Sequence, residues 1–182
     1  MGQDLIIGVG GAGCSLADKI SRELQYDMFG VNYSKKTLED KNYKHKLCLE
    51  EYSQAEQAVS IRAVESATLQ ACDDFKALLN GVVKVIFIVG LGGNTGSAAI
   101  PILVDAAKAL GVHVTTIVTL PFMFETERRK VAEDALAKLK NNSDELVLFD
   151  YAAKDTAPLN SSLLDYFDQV ADSILERISS VA

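Results

Sequence analysis

Gly8, Gly10, Gly11 and Gly13 form one cluster and Gly90, Gly92, Gly93 and Gly96 a second, so two thirds of the 12 glycines stand at two places in the chain. Each cluster follows a β-rich run and precedes a segment with helical spacing. One glycine explains a tight strand-to-helix turn; four per turn explain something more, namely bare backbone at a helix N-terminus. There, unpaired N–H groups and the positive end of the helix dipole favour anions, and phosphate is the natural guest.

The rest of the chain alternates between two hydrophobic periods. Strand-like runs cover Leu5–Val9, Phe29–Asn32, Lys46–Leu49, Val82–Val89, Val112–Leu120 and Leu146–Phe149. Helical spacing covers Cys14–Leu24, Ala55–Leu79, Ala98–Leu110, Glu127–Lys140 and Leu163–Ser179. Such alternation predicts right-handed crossovers onto a mostly parallel six-stranded sheet, a doubly wound, Rossmann-like α/β fold with helices on both faces. Polar Lys44–Leu49 reads as an edge, and Val85–Val89, apolar at every position, as a strand covered on both faces. The length of 182 residues suits one domain. In the strand order 3-2-1-4-5-6, strands one and four are neighbours. Both glycine turns then face one crevice at the carboxyl edge of the sheet, where Ser15, Thr95 and Ser97 add hydroxyls.

Gly8-Val9-Gly10-Gly11-Ala12-Gly13 satisfies G-x-G-x-x-G, a weak signal taken alone. A dinucleotide site also needs an acidic residue at the end of the second strand, which here reads Val31-Asn32-Tyr33. A P-loop needs Lys-Ser/Thr where Cys14-Ser15 stands. Two cradles without a lysine fit a di- or triphosphate gripped by amides. Cys14, at the predicted helix start, meets the need for a small side chain beside phosphates, and with no histidine nearby in sequence it is no nucleophile.

Composition removes other classes. Net charge is −7 and the basic residues make no run longer than Arg128-Arg129-Lys130, so nucleic acid is not expected as a partner. Apolar runs fall short of the ~20 residues of a membrane span, and no leader is evident, so a cytoplasmic location is expected. Cys14, Cys48 and Cys72 make no C-x-x-C, and His45 and His113 stand alone, so neither zinc spacing nor a disulfide framework is present.

Ile7–Gly13, Val31-Asn32 followed by Leu38, Gly90–Ser97, and Val118-Thr119-Leu120-Pro121-Phe122-Met123-Phe124-Glu125 with Arg128-Arg129 stand in the order and approximate spacing of the tubulin/FtsZ family. The chain resembles that family over essentially its whole length, most of all the N-terminal GTP-binding domain of bacterial and archaeal FtsZ and the helix that follows it. The resemblance implies GTP or GDP with Mg²⁺ as ligand. It implies phosphate contacts from Gly10, Gly11, Ala12, Gly13, Cys14, Gly92, Gly93, Asn94, Thr95, Gly96 and Ser97. Glu125 and Arg129 match the ribose contacts, and Asp172 on the last helix matches an acidic residue that reads the guanine edge. For Glu125 and Arg129 an exposed i,i+4 helix pair, worth only ~0.3–0.5 kcal/mol, is an equally good account from sequence alone.

Departures from the family pattern shape the expected activity. Glu50-Glu51-Tyr52-Ser53-Gln54 is short, acidic and glycine-free where relatives carry a glycine-rich loop sensing the terminal phosphate. Tyr151 follows Phe149-Asp150 where relatives carry Asn to recognise guanine; stacking on a base and plain packing both suit it. No Asn-x-Asp-x-x-Asp-like stretch is present, so little or no hydrolysis by the chain alone is expected, and neither catalytic nor metal-ligating side chains are assigned. The one-sided apolar stripe Leu163, Leu164, Phe167, Val170, Ala171, Ile174, Leu175 and Ile178 suits a self-contained domain running from residue 1 to 182. The expected role is a guanine-nucleotide-binding, cytoskeletal or cell-division protein that associates with itself or with a full-length relative. A non-enzymatic regulatory module of the same fold and a Rossmann NAD-binding protein are the alternatives.

Overall fold

The computed structural model describes residues 3–24, 28–41, 43–53, 59–150 and 163–181. Six strands, β1 (Gln3–Val9), β2 (Met28–Asn32), β3 (His45–Cys48), β4 (Val82–Gly90), β5 (His113–Leu120) and β6 (Glu145–Asp150), form one sheet in the order β3-β2-β1-β4-β5-β6. Every pairing is parallel, and β3 and β6 are the edges. The expected strand order and the edge position of the polar run are both found.

The alternation of side chains along each strand builds two cores. Leu5, Ile7 and Val9 of β1 with Val85, Phe87 and Val89 of β4 point into one, shared with α3 (Ile61–Gln70), α4 (Cys72–Leu78), α5 (Asn94–Ala109) and α6 (Thr126–Asn142). Ile6, Ile86 and Ile88 point into the other, shared with α1 (Gly10–Leu24), α2 (Lys35–Glu39) and α7 (Leu163–Val181). On α7, Val170, Ala171, Ile174 and Ile178 are buried while Asp168, Asp172, Glu176 and Arg177 are exposed, so the stripe from Val170 to Ile178 faces the sheet. No helix among the described residues is long and apolar enough to cross a membrane.

Three helical details differ from expectation. The helix expected over Ala55–Leu79 is two, α3 and α4, meeting at Ala71; positions 55–58 lie outside the described residues. Val64, Ala67, Ala71 and Phe75 are all buried, so the apolar stripe runs through the break and conceals it. A physical cause sits one turn earlier, where the buried Thr68 hydroxyl donates to the Val64 carbonyl at 2.7 Å, a back-bond that bends helices. The short α2 was not foreseen, because it buries only Leu38 and has no apolar period to read. Finally, α1 and α5 begin at Gly10 and Asn94, each four residues before the expected starts at Cys14 and Ala98. The glycine segments are therefore first helical turns as much as loops.

Candidate functional site

Strand order reverses between β1 and β4, and there the chain opens. Val9 of β1 pairs with Val89 of β4, and each strand passes straight into its glycine segment. Gly10 (φ 73°) and Gly92 (φ 95°) take left-handed backbone that side chains rarely adopt. A methyl on Gly10 would lie 3.0 Å from the Gly96 nitrogen, and one on Gly90 would lie 2.6 Å from the Ala12 Cβ, so the N-termini of α1 and α5 are in contact. Neither helix has an acidic residue in its first turn. The N–H groups that a helix leaves unpaired at its start, around Gly10–Gly13 and Asn94–Gly96, thus share one rim with their dipoles uncancelled.

The glycines divide by task. A methyl on Gly13 would sit 2.3 Å from the Ile88 carbonyl oxygen, and one on Gly96 would sit 2.4 Å from that of Gly90. These two exist so that helix can lie on strand. Gly11 and Gly93 have nothing within 4 Å of a built methyl, and both line a cavity of about 650 Å³. That size suits a small-molecule ligand.

Other walls come from elements that sequence did not assign to the site. Asn32, Tyr33 and Ser34, at the end of β2, line one side. The Tyr33 hydroxyl donates to Ser53 Oγ at 2.6 Å and the Tyr33 carbonyl accepts from Glu50 N–H at 3.1 Å, tying this wall to the turn Leu49–Tyr52. Tyr52 in turn donates to Asp74 at 2.5 Å, a bond that pushes its phenol up to about 12. The signal available in sequence was position alone, the carboxyl end of the strand beside the switch point.

The opposite wall is the segment Pro121–Glu125 with the start of α6. Glu125 lines the cavity, accepting from Phe122 N–H at 3.0 Å and from Arg128 at 2.6 Å. Phe122 and Phe124 stack with ring centroids 5.3 Å apart, and Phe124 is 80% exposed. Arg128 reaches the cavity and Arg129 is not among its lining residues. Arg129 is held by Asp150 through two bonds of 2.7 and 2.6 Å and donates to the Pro121 carbonyl at 2.8 Å. The Asp150 carboxylate keeps its guanidinium above the ordinary arginine value.

Gly11, Ala12, Gly93, Asn94, Thr95, Gly96 and Glu125, all expected at the site, are brought together around the cavity. Ser97 is buried beneath it, its hydroxyl accepting from Gly92 N–H at 2.8 Å, so it braces the turn. Cys14 turns into the core, its thiol donating to the Gly8 and Val31 carbonyls, and burial pushes it up to about 12. Asp172 is exposed on α7 and is not among the described lining residues, and Tyr151 lies outside the described residues. Among the described residues no group of three His, Cys, Asp or Glu side chains is placed to hold a metal ion.

Against known proteins, residues 4–154 match the model of the Tubulin/FtsZ family, GTPase domain. The cell division protein FtsZ of Aquifex aeolicus is 29% identical over 178 residues, 94% of this chain and 48% of that protein. Cell division protein FtsZ 1 of Thermococcus kodakarensis is 32% identical over 151 residues, 79% of this chain and 40% of that protein. In fold, the empty FtsZ dimer of M. jannaschii superposes with a TM-score of 0.85 at 23% identity, over 98% of this chain and 53% of that one. The chain spans about half the length of the curated relatives it matches. With the family's GTPase-domain model matched over most of its length, and the glycine rim where that match runs, the chain belongs to the tubulin/FtsZ family.

Proposed function

We propose that this domain binds a guanine nucleotide with its phosphates on the joined N-termini of α1 and α5. The observation that carries it is the contact between the two glycine segments, with a built methyl of Gly10 only 3.0 Å from the Gly96 nitrogen, at the mouth of an open cavity. Amides of Gly10–Gly13 and Asn94–Gly96, with the Thr95 hydroxyl, take the phosphate oxygens. Their dipoles supply positive charge beside the phosphates, where neither glycine segment carries a lysine or arginine. Glu125 suits the paired ribose hydroxyls. The choice of guanine comes from the family, and Tyr151 and Asp172 are the residues proposed to meet the base.

Mg²⁺ enters with the phosphates. It is commonly held by phosphate oxygens and water with few protein ligands, which suits a cavity whose described lining offers one carboxylate, Glu125. With Glu125, the carboxylate among the described lining residues, assigned to the ribose, slow hydrolysis by the isolated domain is part of the proposal. Two of the relatives above are cell division proteins, and the M. jannaschii structure is an FtsZ dimer. We extend both to this chain as a role in division and as self-association.

Titration with fluorescent GTP, GDP, ATP and NAD, on the native chain and on Thr95→Ala, tests the reading. Guanine nucleotides should bind, and Thr95→Ala should weaken them about tenfold, the scale of one hydrogen bond to a charged group. NAD binding that survives Thr95→Ala would replace the proposal with a dinucleotide site. No nucleotide binding at all, with co-sedimentation on a two-domain relative, would replace it with a regulatory module.

A further inference from the structure

Arg128 and Arg129 are adjacent on α6, about 100° apart around the helix, and the structure gives them different surroundings. Arg128 has its side chain 59% exposed and lines the cavity, while that of Arg129 is 14% exposed beneath the segment that walls it. The Arg129 fork makes two parallel bonds to Asp150, at 2.7 and 2.6 Å, and a third to the Pro121 carbonyl at 2.8 Å. Its backbone N–H donates to the Glu125 carbonyl at 2.8 Å, so one residue holds both ends of Pro121–Glu125. That segment is itself closed by Glu125 N–H on the Phe122 carbonyl and Phe122 N–H on Glu125 Oε2, both at 3.0 Å. It bears directly on the second glycine turn, since a methyl on Gly92 would lie 2.5 Å from Pro121 Cγ and 2.9 Å from the Arg128 carbonyl oxygen. For Arg129 to turn into the cavity, three bonds must break and Asp150, with its side chain 23% exposed, must lose a bidentate partner.

We infer that Arg129 is a positioning residue that fastens the cavity's outer wall to the end of β6 through Asp150, and that Arg128 is the cation presented to the bound anion. The ligand half of this rests on the nucleotide reading above. The two roles separate by sign at Asp150. If Arg129 were itself the ligand's cation, Asp150 would be its competitor, and Asp150→Asn would release it and tighten binding. If Arg129 positions the wall, Asp150→Asn loosens the wall and weakens binding.

The test uses the native chain, Arg128→Gln, Arg129→Gln, Asp150→Asn, Asp150→Glu and the double variant Arg129→Gln/Asp150→Asn, with GDP as probe over a range of ionic strength. Asp150→Asn and Arg129→Gln should each weaken GDP binding about tenfold, with the double variant no worse than either single one. Their salt dependence should match the native chain, and Asp150→Glu, which keeps the charge, should recover part of the affinity. Arg128→Gln should flatten the salt dependence, because an exposed charge facing an anion is screened. Hydrogen exchange at the Phe122 and Glu125 amides in the ligand-free protein should speed up in Asp150→Asn and Arg129→Gln; in Arg128→Gln only Phe122, whose acceptor Glu125 loses its Arg128 partner, should change. Tighter binding in Asp150→Asn, a salt dependence flattened by Arg129→Gln, or unchanged exchange at those amides overturns the inference. The exchange measurement stands even if the native chain binds no nucleotide, a result that would defeat the nucleotide reading instead.

Discussion

The turn after β1 and the turn after β4 carry the same glycine count and lean on different things. In the first, Gly13 lies on the Ile88 carbonyl and Gly8 on Cys14 and Ala17, so α1 is seated against the sheet itself. In the second, Gly96 lies on the Gly90 carbonyl, but Gly92 is wedged against Pro121 and Arg128, and its N–H is held by the Ser97 hydroxyl. One half of the rim is therefore fixed by the fold, and the other half is fixed partly by the wall of the cavity. Substitutions in the outer wall should act on the ligand through the second turn and leave the first unchanged.

The largest effect that separates packing from binding within one turn is at Gly13 and Gly11. Gly13→Ala drives a methyl to 2.3 Å from backbone that cannot retreat, and we expect a loss of about 3 kcal/mol, or roughly 6–12 °C in Tm. Gly11→Ala meets nothing within 4 Å and replaces glycine inside a helix, so stability should hold or rise by a few tenths of a kcal/mol. Calorimetry of the two variants decides the point; equal losses would mean that α1 is not seated by Gly13. Next in size is Ser97→Ala, which leaves the buried Gly92 N–H without its acceptor at a cost of about 2 kcal/mol. Hydrogen exchange should report opening confined to the second turn, and exchange spreading equally to the first would erase the contrast between them.

A smaller effect, of opposite sign in stability and binding, is expected of Gly93→Asp. Gly93 is the N-cap of α5, with extended backbone (φ −92°, ψ 155°) that any residue adopts, and its built methyl is in open space. Asp is at least as good a cap as Gly, so Tm should hold or rise slightly. The same carboxylate would sit at the helix start where phosphate is proposed to lie, and nucleotide affinity should fall about tenfold by charge repulsion. Unchanged affinity in a normally folded variant would move the phosphates off the α5 terminus.

The sheet was legible because a doubly wound fold writes each strand as a continuous or alternating apolar run, and two glycine clusters marked where β1 and β4 end. Helix starts were misjudged by four residues at Gly10 and Asn94 for a definite reason. Glycine costs about 1 kcal/mol in a helix interior, and the seating of Gly13 and Gly96 on neighbouring strand carbonyls, which offsets that cost, is a tertiary fact. The cavity's outer wall was half legible. Glu125 and Arg129 were picked out, but the tie from Arg129 to Asp150, 21 residues away at the end of β6, and the reach of Arg128 to the cavity were not. Cys14 was assigned to the rim by its place in the motif, whereas its helical phase points it at Gly8 and Val31.

Between pH 7 and 9, Cys14 also supplies the smallest expected effect, and a check on how completely the first turn is sealed from the cavity. Burial raises its thiol from the ordinary 9.0 to about 12, so the folded chain keeps the proton that the unfolded chain gives up. A raised value means that the stabilising contribution is complete below pH 9 and is lost as pH climbs from 9 toward 12. Between pH 7 and 9 the native chain should lose only about 0.4 kcal/mol to this group, and beyond pH 9 as much as ~1.4 kcal/mol per unit. Urea unfolding at several pH values, compared with Cys14→Ala, isolates the contribution as the difference in slope. Thiol labelling at pH 8 gives the complementary readout: half-buried Cys72 should react first, and Cys14 only as fast as the whole chain unfolds. Labelling of Cys14 faster than global unfolding would mean that the α1 turn opens by itself, and the turn called fixed here would be as yielding as its partner.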